Sequence, residues 1–167
     1  MEKHPIKENG LVNLGNTCFM NSILQCLYHS PSLVDYIQDK EFSIDLLENH
    51  PYSNFTKEFR ILNYKLKSSH RAIAPHSFKK NADLRILQKR QDGLMIGHHN
   101  DAHEFLELLL DTLHESLYYI PKINIDIKNP NKLSTHDKLA LQACKRWKQH
   151  FNDKYSKIVE LFYGQFI

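Results

Sequence analysis

Gly10-Leu-Val-Asn13-Leu-Gly-Asn16-Thr17-Cys18-Phe-Met-Asn-Ser-Ile-Leu-Gln-Cys-Leu27 is the stretch on which the reading of the chain turns. A polar, glycine-containing turn runs into a cysteine, and an apolar segment follows at once. Asn16 and Thr17 are good helix-capping types. Phe19, Ile23 and Leu27 recur every four residues, as do Met20, Leu24 and Tyr28. Two such rows predict a helix with a wide buried face, and they put Cys18 in its first turn. The free amides and dipole of a helix N-terminus stabilise a thiolate, the nucleophilic form of cysteine. Asn13, in the turn upstream, carries an amide NH2 that can stabilise an oxyanion beside such a sulfur. The other reading of Cys18 is a small apolar filler of the core.

Asn100-Asp101-Ala102-His103-Glu104-Phe105-Leu106 opens a second helical stripe, continued by Leu109, Leu110, Leu113 and Leu117. Asp101 and Glu104 have the spacing of a capping box. The sequence predicts that the Cys18 helix is the central buried element and packs on the helix from Asp101 to Leu117.

Elsewhere Pro31 ends the first helix near His29 and Ser30, and a short helix runs through Leu33, Val34, Tyr36 and Ile37. Residues 39–43 read as a connection, and residues 44–50 and 54–68 as helical. In the latter, Phe55, Phe59, Leu62 and Leu66 form one apolar face, with Lys57, Arg60, Lys65 and Lys67 mostly off it as a solvated basic side. Residues 68–75 are a linker, Ala74–Phe78 a turn opening a helix, and Asp83–Gln91 a short helical stretch. Asp92-Gly93 and Gly97 mark turns. Residues 118–131 read as an irregular connection. Residues 134–151 read as a helix whose Leu139, Ala143, Trp147 and Phe151 belong to the core. Val159–Phe162 reads as a strand.

The 167 residues suffice for one domain with a real core. A net charge of +3 is too small to argue for nucleic acid, and no basic stripe with aromatics occurs. Three cysteines, Cys18, Cys26 and Cys144, form neither a C-x-x-C pair nor a disulfide framework. A reducing compartment is expected, cytoplasm or nucleus, with no metal and no cofactor. The first residues carry no secretory h-region, and no apolar run reaches membrane-spanning length. The expectation is an intracellular protein that is neither secreted nor membrane-bound.

The stretch from Gly10 to Leu27 resembles the cysteine box of the ubiquitin-specific proteases, papain-like deubiquitinating enzymes, at Gly10, Leu11, Asn13 to Cys18, Met20 to Ser22, Leu24, Gln25 and Leu27. Phe19 stands where tyrosine is usual. Asp101 to Leu106 is similar to the second family signature, with His99 and Asn100 in place of two glutamines. Pro75 with Phe78, and the segment Ser156 to Gln165, also match family features. The resemblance implies Cys18 as nucleophile and Asn13 as oxyanion-hole donor. It implies that Asp101 and Glu104 line the channel for the arginine-bearing ubiquitin tail, a pairing that suits carboxylates. It does not make His103 the catalytic histidine.

The implied fold is mainly α: residues 1–9 a lead-in, and residues 10–167 the thumb-like helical subdomain of a papain-like cysteine protease, with a short strand at the C-terminal end. The implied function is thiol-dependent cleavage after the ubiquitin C-terminal glycine, with ubiquitin or ubiquitinated proteins as partners. The Gly-His-Tyr-type box that carries the family's general base does not occur among the 11 histidines, nor do the zinc-carrying fingers and the palm. His98 and His99 receive no role. Losing a member of such a catalytic unit costs orders of magnitude in rate. The alternatives are a half-domain completed by a second segment, or an inactive remnant that binds ubiquitin or another partner.

Overall fold

The computed structural model describes residues 9–89, 93–121, 133–151 and 154–164. Their helices are α1 (Cys18–Tyr28), α2 (Pro31–Gln38), α3 (Lys40–Asp45), α4 (Ser53–Ser68), α5 (His76–Gln88), α6 (Ala102–Leu117), α7 (Thr135–Phe151) and α8 (Lys157–Phe162). The chain is mainly helical, and no sheet forms among the described residues. Extended pairing there is confined to two isolated bridges, Leu11 with Ile73 and Tyr119 with Tyr155.

The core follows from the apolar periodicity. Met20, Leu24, Leu27 and Tyr28 of α1 are buried, with Phe19 and Ile23 packed at the margin. α1 lies against α6, whose Phe105, Leu109, Leu113 and Leu117 are fully buried. The Phe19 and Phe105 rings meet edge to face at 5.4 Å. On α4 the predicted face, Phe55, Phe59, Leu62 and Leu66, is buried in full. Phe78 of α5 closes on it, 5.1 Å from the Phe55 ring and 6.1 Å from Phe59. Each such side chain taken from water contributes about 1.5–3 kcal/mol.

Four segments depart from the sequence reading. Residues 40–45 form α3, where 39–43 read as a connection, and the helix expected over 44–50 ends at Asp45; Asp39 caps α3, its carboxylate accepting from Glu41 N–H at 2.9 Å. The turn at Pro75 and the stretch after Asp83 belong to one helix, α5. Val159–Phe162 is helical, not a strand: Ser156 caps α8 by accepting from Val159 N–H at 3.3 Å, and local capping overrides the β-branched propensity. α7 forms, but its stripe is not core. Leu139 is 43% exposed and no residue of α7 is fully buried. Its C-terminal end leans on the body, where the Phe151 ring lies 5.6 Å from His114 and 5.3 Å from Tyr163.

The lead-in up to residue 8 and most of the 118–131 connection lie outside the described residues. Asn9 is fixed, its amide donating to the carbonyls of Leu66 and Ser69, both at 2.7 Å.

Candidate active site

The loop before α1 is built around the side-chain amide oxygen of Asn13, Oδ1. That atom accepts from Gly15 N–H at 3.1 Å, Thr17 N–H at 3.1 Å and the Thr17 hydroxyl at 3.0 Å. The Thr17 hydroxyl in turn accepts from Leu14 N–H at 2.9 Å. Closing so tight a ring puts two successive residues in left-handed backbone, Gly15 at φ 90° and Asn16 at φ 51°. Glycine does this freely, and asparagine is among the side chains that tolerate it best.

Two straps hold the ring. Val12 N–H donates to Ile73 at 2.8 Å and Ile73 N–H to Gly10 at 2.9 Å. From α1, Asn21 donates to the Val12 carbonyl at 3.2 Å and Gln25 to the Asn9 carbonyl at 2.7 Å. The polar residues inside the apolar α1 segment are thus anchors of the loop.

Thr17 occupies the N-cap position, but its hydroxyl is committed to the ring and makes no capping bond to α1. The Asn16 amide NH2 donates across to the Gly97 carbonyl at 2.9 Å. Among the described residues no side-chain capping bond reaches the first amides of α1, and its positive end is open beside Cys18, the first residue of the helix. The sulfur is exposed, which removes the core-filler reading. Because the Asn13 oxygen faces into the ring, its NH2 is the end left over, and it has no hydrogen-bond partner among the described residues.

Across from this loop runs the turn 93–100, with Gly93 at φ 72° and Gly97 at φ 79°. Asn100 staples it. Its carbonyl accepts from Met95 N–H at 2.7 Å, and its NH2 donates to the carbonyls of Met95 at 2.9 Å and His98 at 3.2 Å. Asp101 then caps α6, accepting from His103 N–H at 2.6 Å and, at longer range, from Glu104 N–H at 3.4 Å. Glu104 does not complete the reciprocal capping bond. Its carboxylate rests against Gly93, where an added Cβ would come within 2.9 Å of Oε2. Asp101 and Glu104 are both exposed, so the capping role of Asp101 leaves a carboxylate edge in solvent.

His103 turns away, its Nδ1 3.9 Å from Glu107 Oε1 on the solvent side of α6. The histidine that does approach the cysteine is His99, with Nδ1 4.0 Å from Cys18 Sγ. The sequence reading gives His99 no role. Its only signal there is that an imidazole stands where the family pattern has glutamine. Among the described residues no group of three or more His, Cys, Asp or Glu side chains is arranged to hold a metal ion.

The family model described as ubiquitin carboxyl-terminal hydrolase matches residues 9–167. Ubiquitin carboxyl-terminal hydrolase 10 of Arabidopsis thaliana is 36% identical over 94% of this chain and 16% of its own length. Ubiquitin carboxyl-terminal hydrolase 19 of Rattus norvegicus is 33% identical over 94% of the chain and 11% of its length. Ubiquitin carboxyl-terminal hydrolase 2 of Homo sapiens is 33% identical over 93% of the chain and 25% of its length. The chain thus spans a quarter or less of each of these relatives.

Proposed function

Since the chain belongs to the ubiquitin carboxyl-terminal hydrolase family, we propose that residues 10–167 are the thumb-like, cysteine-bearing part of a deubiquitinase catalytic domain, with Cys18 as its nucleophile. The observation that carries this reading is the exposed sulfur at the uncapped start of α1, beneath a loop closed around Asn13. In the reaction the Cys18 thiolate attacks the carbonyl carbon of the ubiquitin C-terminal glycine. The carbonyl oxygen becomes an oxyanion, and the open amides of α1 with the Asn13 NH2 are the donors available to it. Collapse of this intermediate breaks the bond to the leaving amine and leaves a thioester, which water hydrolyses.

Asp101 and Glu104, exposed at the head of α6, are the carboxylates that would pair with the arginines preceding the terminal glycines. The partner implied is ubiquitin, free at its tail or attached to another protein. The fingers and palm that grip the body of ubiquitin in the family would come from a further segment.

The second reading, a ubiquitin- or partner-binding module without turnover, draws on the lack of a Gly-His-Tyr box in these 167 residues. A ubiquitin carrying a C-terminal electrophile separates the two. The enzyme reading expects covalent capture that disappears in Cys18→Ala. Capture that survives that substitution removes Cys18 from its role, and reversible binding without capture favours the module.

A further inference from the structure

We propose that Thr17 is the positioning residue of the oxyanion donor: its buried hydroxyl holds the Asn13 side-chain amide with the oxygen inward and the NH2 outward. The proposal rests on the reading of Cys18 as nucleophile and Asn13 as donor, and adds the residue that orients that donor.

An asparagine amide has an accepting end and a donating end of nearly equal size, and its partners decide which faces where. Here they leave one choice. Gly15 N–H and Thr17 N–H can only donate, and both meet the same Asn13 atom at 3.1 Å, so that atom is the oxygen. The Thr17 hydroxyl is bound by the same logic. Leu14 N–H donates to it at 2.9 Å, so its own proton is left for the Asn13 oxygen 3.0 Å away. Every bond in the ring thus has one direction, and the NH2 is excluded from it.

Two features set Thr17 apart from a residue that only fills the loop. It is 3% exposed while Asn13 is exposed, so the hold lies inside and the group it holds meets solvent. It also stands at the N-cap of α1, where a threonine hydroxyl ordinarily accepts from the helix amides. Thr17 makes no such bond. Its hydroxyl gives up helix capping for the grip on Asn13. Its carbonyl meanwhile accepts from Asn21 N–H at 2.9 Å and so starts the helical ladder. One residue therefore fixes the amide on one side and the beginning of the Cys18 helix on the other.

The consequence is chemical. A donor that rotates freely has to be ordered as charge develops on the carbonyl oxygen. A donor already turned outward costs no reorganisation at that moment. Valine at position 17 would put a methyl group where the hydroxyl meets Asn13 Oδ1, and would leave Leu14 N–H without its acceptor.

The test uses the 167-residue chain as parent, Thr17→Val, Thr17→Ser, Asn13→Ala and the Asn13→Ala, Thr17→Val double variant. The first readout needs no activity. Nitrogen–proton NMR of the Asn13 NH2 pair, identified by its loss in Asn13→Ala, gives the rate at which the two protons exchange places. Hydrogen bonds to the oxygen stiffen the amide, so this exchange should be faster in Thr17→Val and return to the parent value in Thr17→Ser. The second readout is affinity for ubiquitin with a C-terminal aldehyde. Cys18 adds to it reversibly: the S–C bond forms, the C=O double bond opens, and the thiol proton ends on that oxygen. One ordinary hydrogen bond corresponds to about tenfold in an equilibrium, so Thr17→Val should bind the aldehyde about tenfold more weakly. Thr17→Ser should stay close to the parent. In the Asn13→Ala background Thr17→Val should cost little more, because the group it orients is gone. A merely structural threonine would cost the same in both backgrounds, and that result overturns the proposal. So does an amide exchange rate equal in parent and Thr17→Val. If capture then still depends on Asn13, the donor reading survives alone. If the amide loosens in Thr17→Val but no form captures the aldehyde, Thr17 keeps its positioning role and the nucleophile reading falls. Thermal melting separates these effects from unfolding, and Thr17→Ala supplies a second variant if valine melts early.

Discussion

At its N-terminal end α6 presents Asp101, His103 and Glu104 to solvent, while one helix length away Thr112, His114 and Ser116 are buried. The two ends carry the same kinds of polar group and treat them oppositely. At the buried end the polar groups answer one another. Arg85 Nε donates to the Thr112 hydroxyl at 3.0 Å, which donates to the Leu108 carbonyl at 2.6 Å. Ser116 and Thr56 share a 2.5 Å hydrogen bond, and His114 Nδ1 lies 2.8 Å from the Ser156 hydroxyl. The Arg85 guanidinium also lies over the Tyr52 ring at 4.1 Å. At the open end Asp101 caps the helix through one carboxylate oxygen, and among the described residues no side-chain acceptor caps the start of α1. Burial penalises an unpartnered polar group, so a polar residue paired there holds the fold together. Exposure lifts that demand, and a polar residue there is free to meet a substrate.

The largest effect should come from breaking the buried end. Thr112→Val keeps the shape and removes the acceptor of a buried guanidinium, at a cost of about 1–3 kcal/mol. Thermal or denaturant melting measures it. Adding Arg85→Met removes the orphaned donor as well, so the double variant should lose less than the two single losses combined. Strict additivity would mean that the Arg85–Thr112 bond contributes nothing.

The open end should answer differently. Asp101→Ala removes a cap and should cost about 1 kcal/mol. Asp101→Asn caps nearly as well, so its melting should stay close to that of the parent. If the carboxylate also meets the arginines of the ubiquitin tail, Asp101→Asn should slow capture of the ubiquitin probe while leaving iodoacetamide alkylation of Cys18 unchanged. Equal capture by parent and Asp101→Asn would reduce Asp101 to a cap.

The contrast between the two ends also marks what could be read from sequence. The helices α1 and α6 and their mutual packing were legible because apolar residues at Met20, Leu24, Phe105 and Leu109 recur at the helical period. The capping spacing at Asp101 was legible too, though Glu104 closes on Gly93 and not on the cap. The α7 stripe shows where periodicity stops: it identifies a helix, and it cannot say what covers the face, which here is left open at Leu139. Val159–Phe162 misled because β-branched and aromatic residues favour strands, while a single serine three positions before Val159 was enough to start a helix. The approach of His99 to Cys18 was invisible for another reason. It depends on left-handed backbone at Asn16 and Gly97 and on one amide joining two loops, none of which leaves a periodic trace.

The smallest expected effect is one of slope, and acid reveals it. Burial lowers the pKa of His114 below its ordinary value of 6.5, and neighbouring Lys154 acts in the same direction against Glu115 and Asp111. The Ser156 hydroxyl can donate to Nδ1 while its oxygen accepts from Val159 N–H, an arrangement that needs neutral imidazole. The unfolded chain then binds a proton at a pH where the folded chain does not. Stability from this group is complete above the unfolded value and is lost as pH falls below about 6.5 toward the lower folded value. His50 is lowered by burial too, so the acid slope should shrink, and not vanish, in His114→Gln. Melting temperatures taken from pH 7.5 down to 5 check this, and a fall as steep in His114→Gln as in the parent would remove His114 from the account.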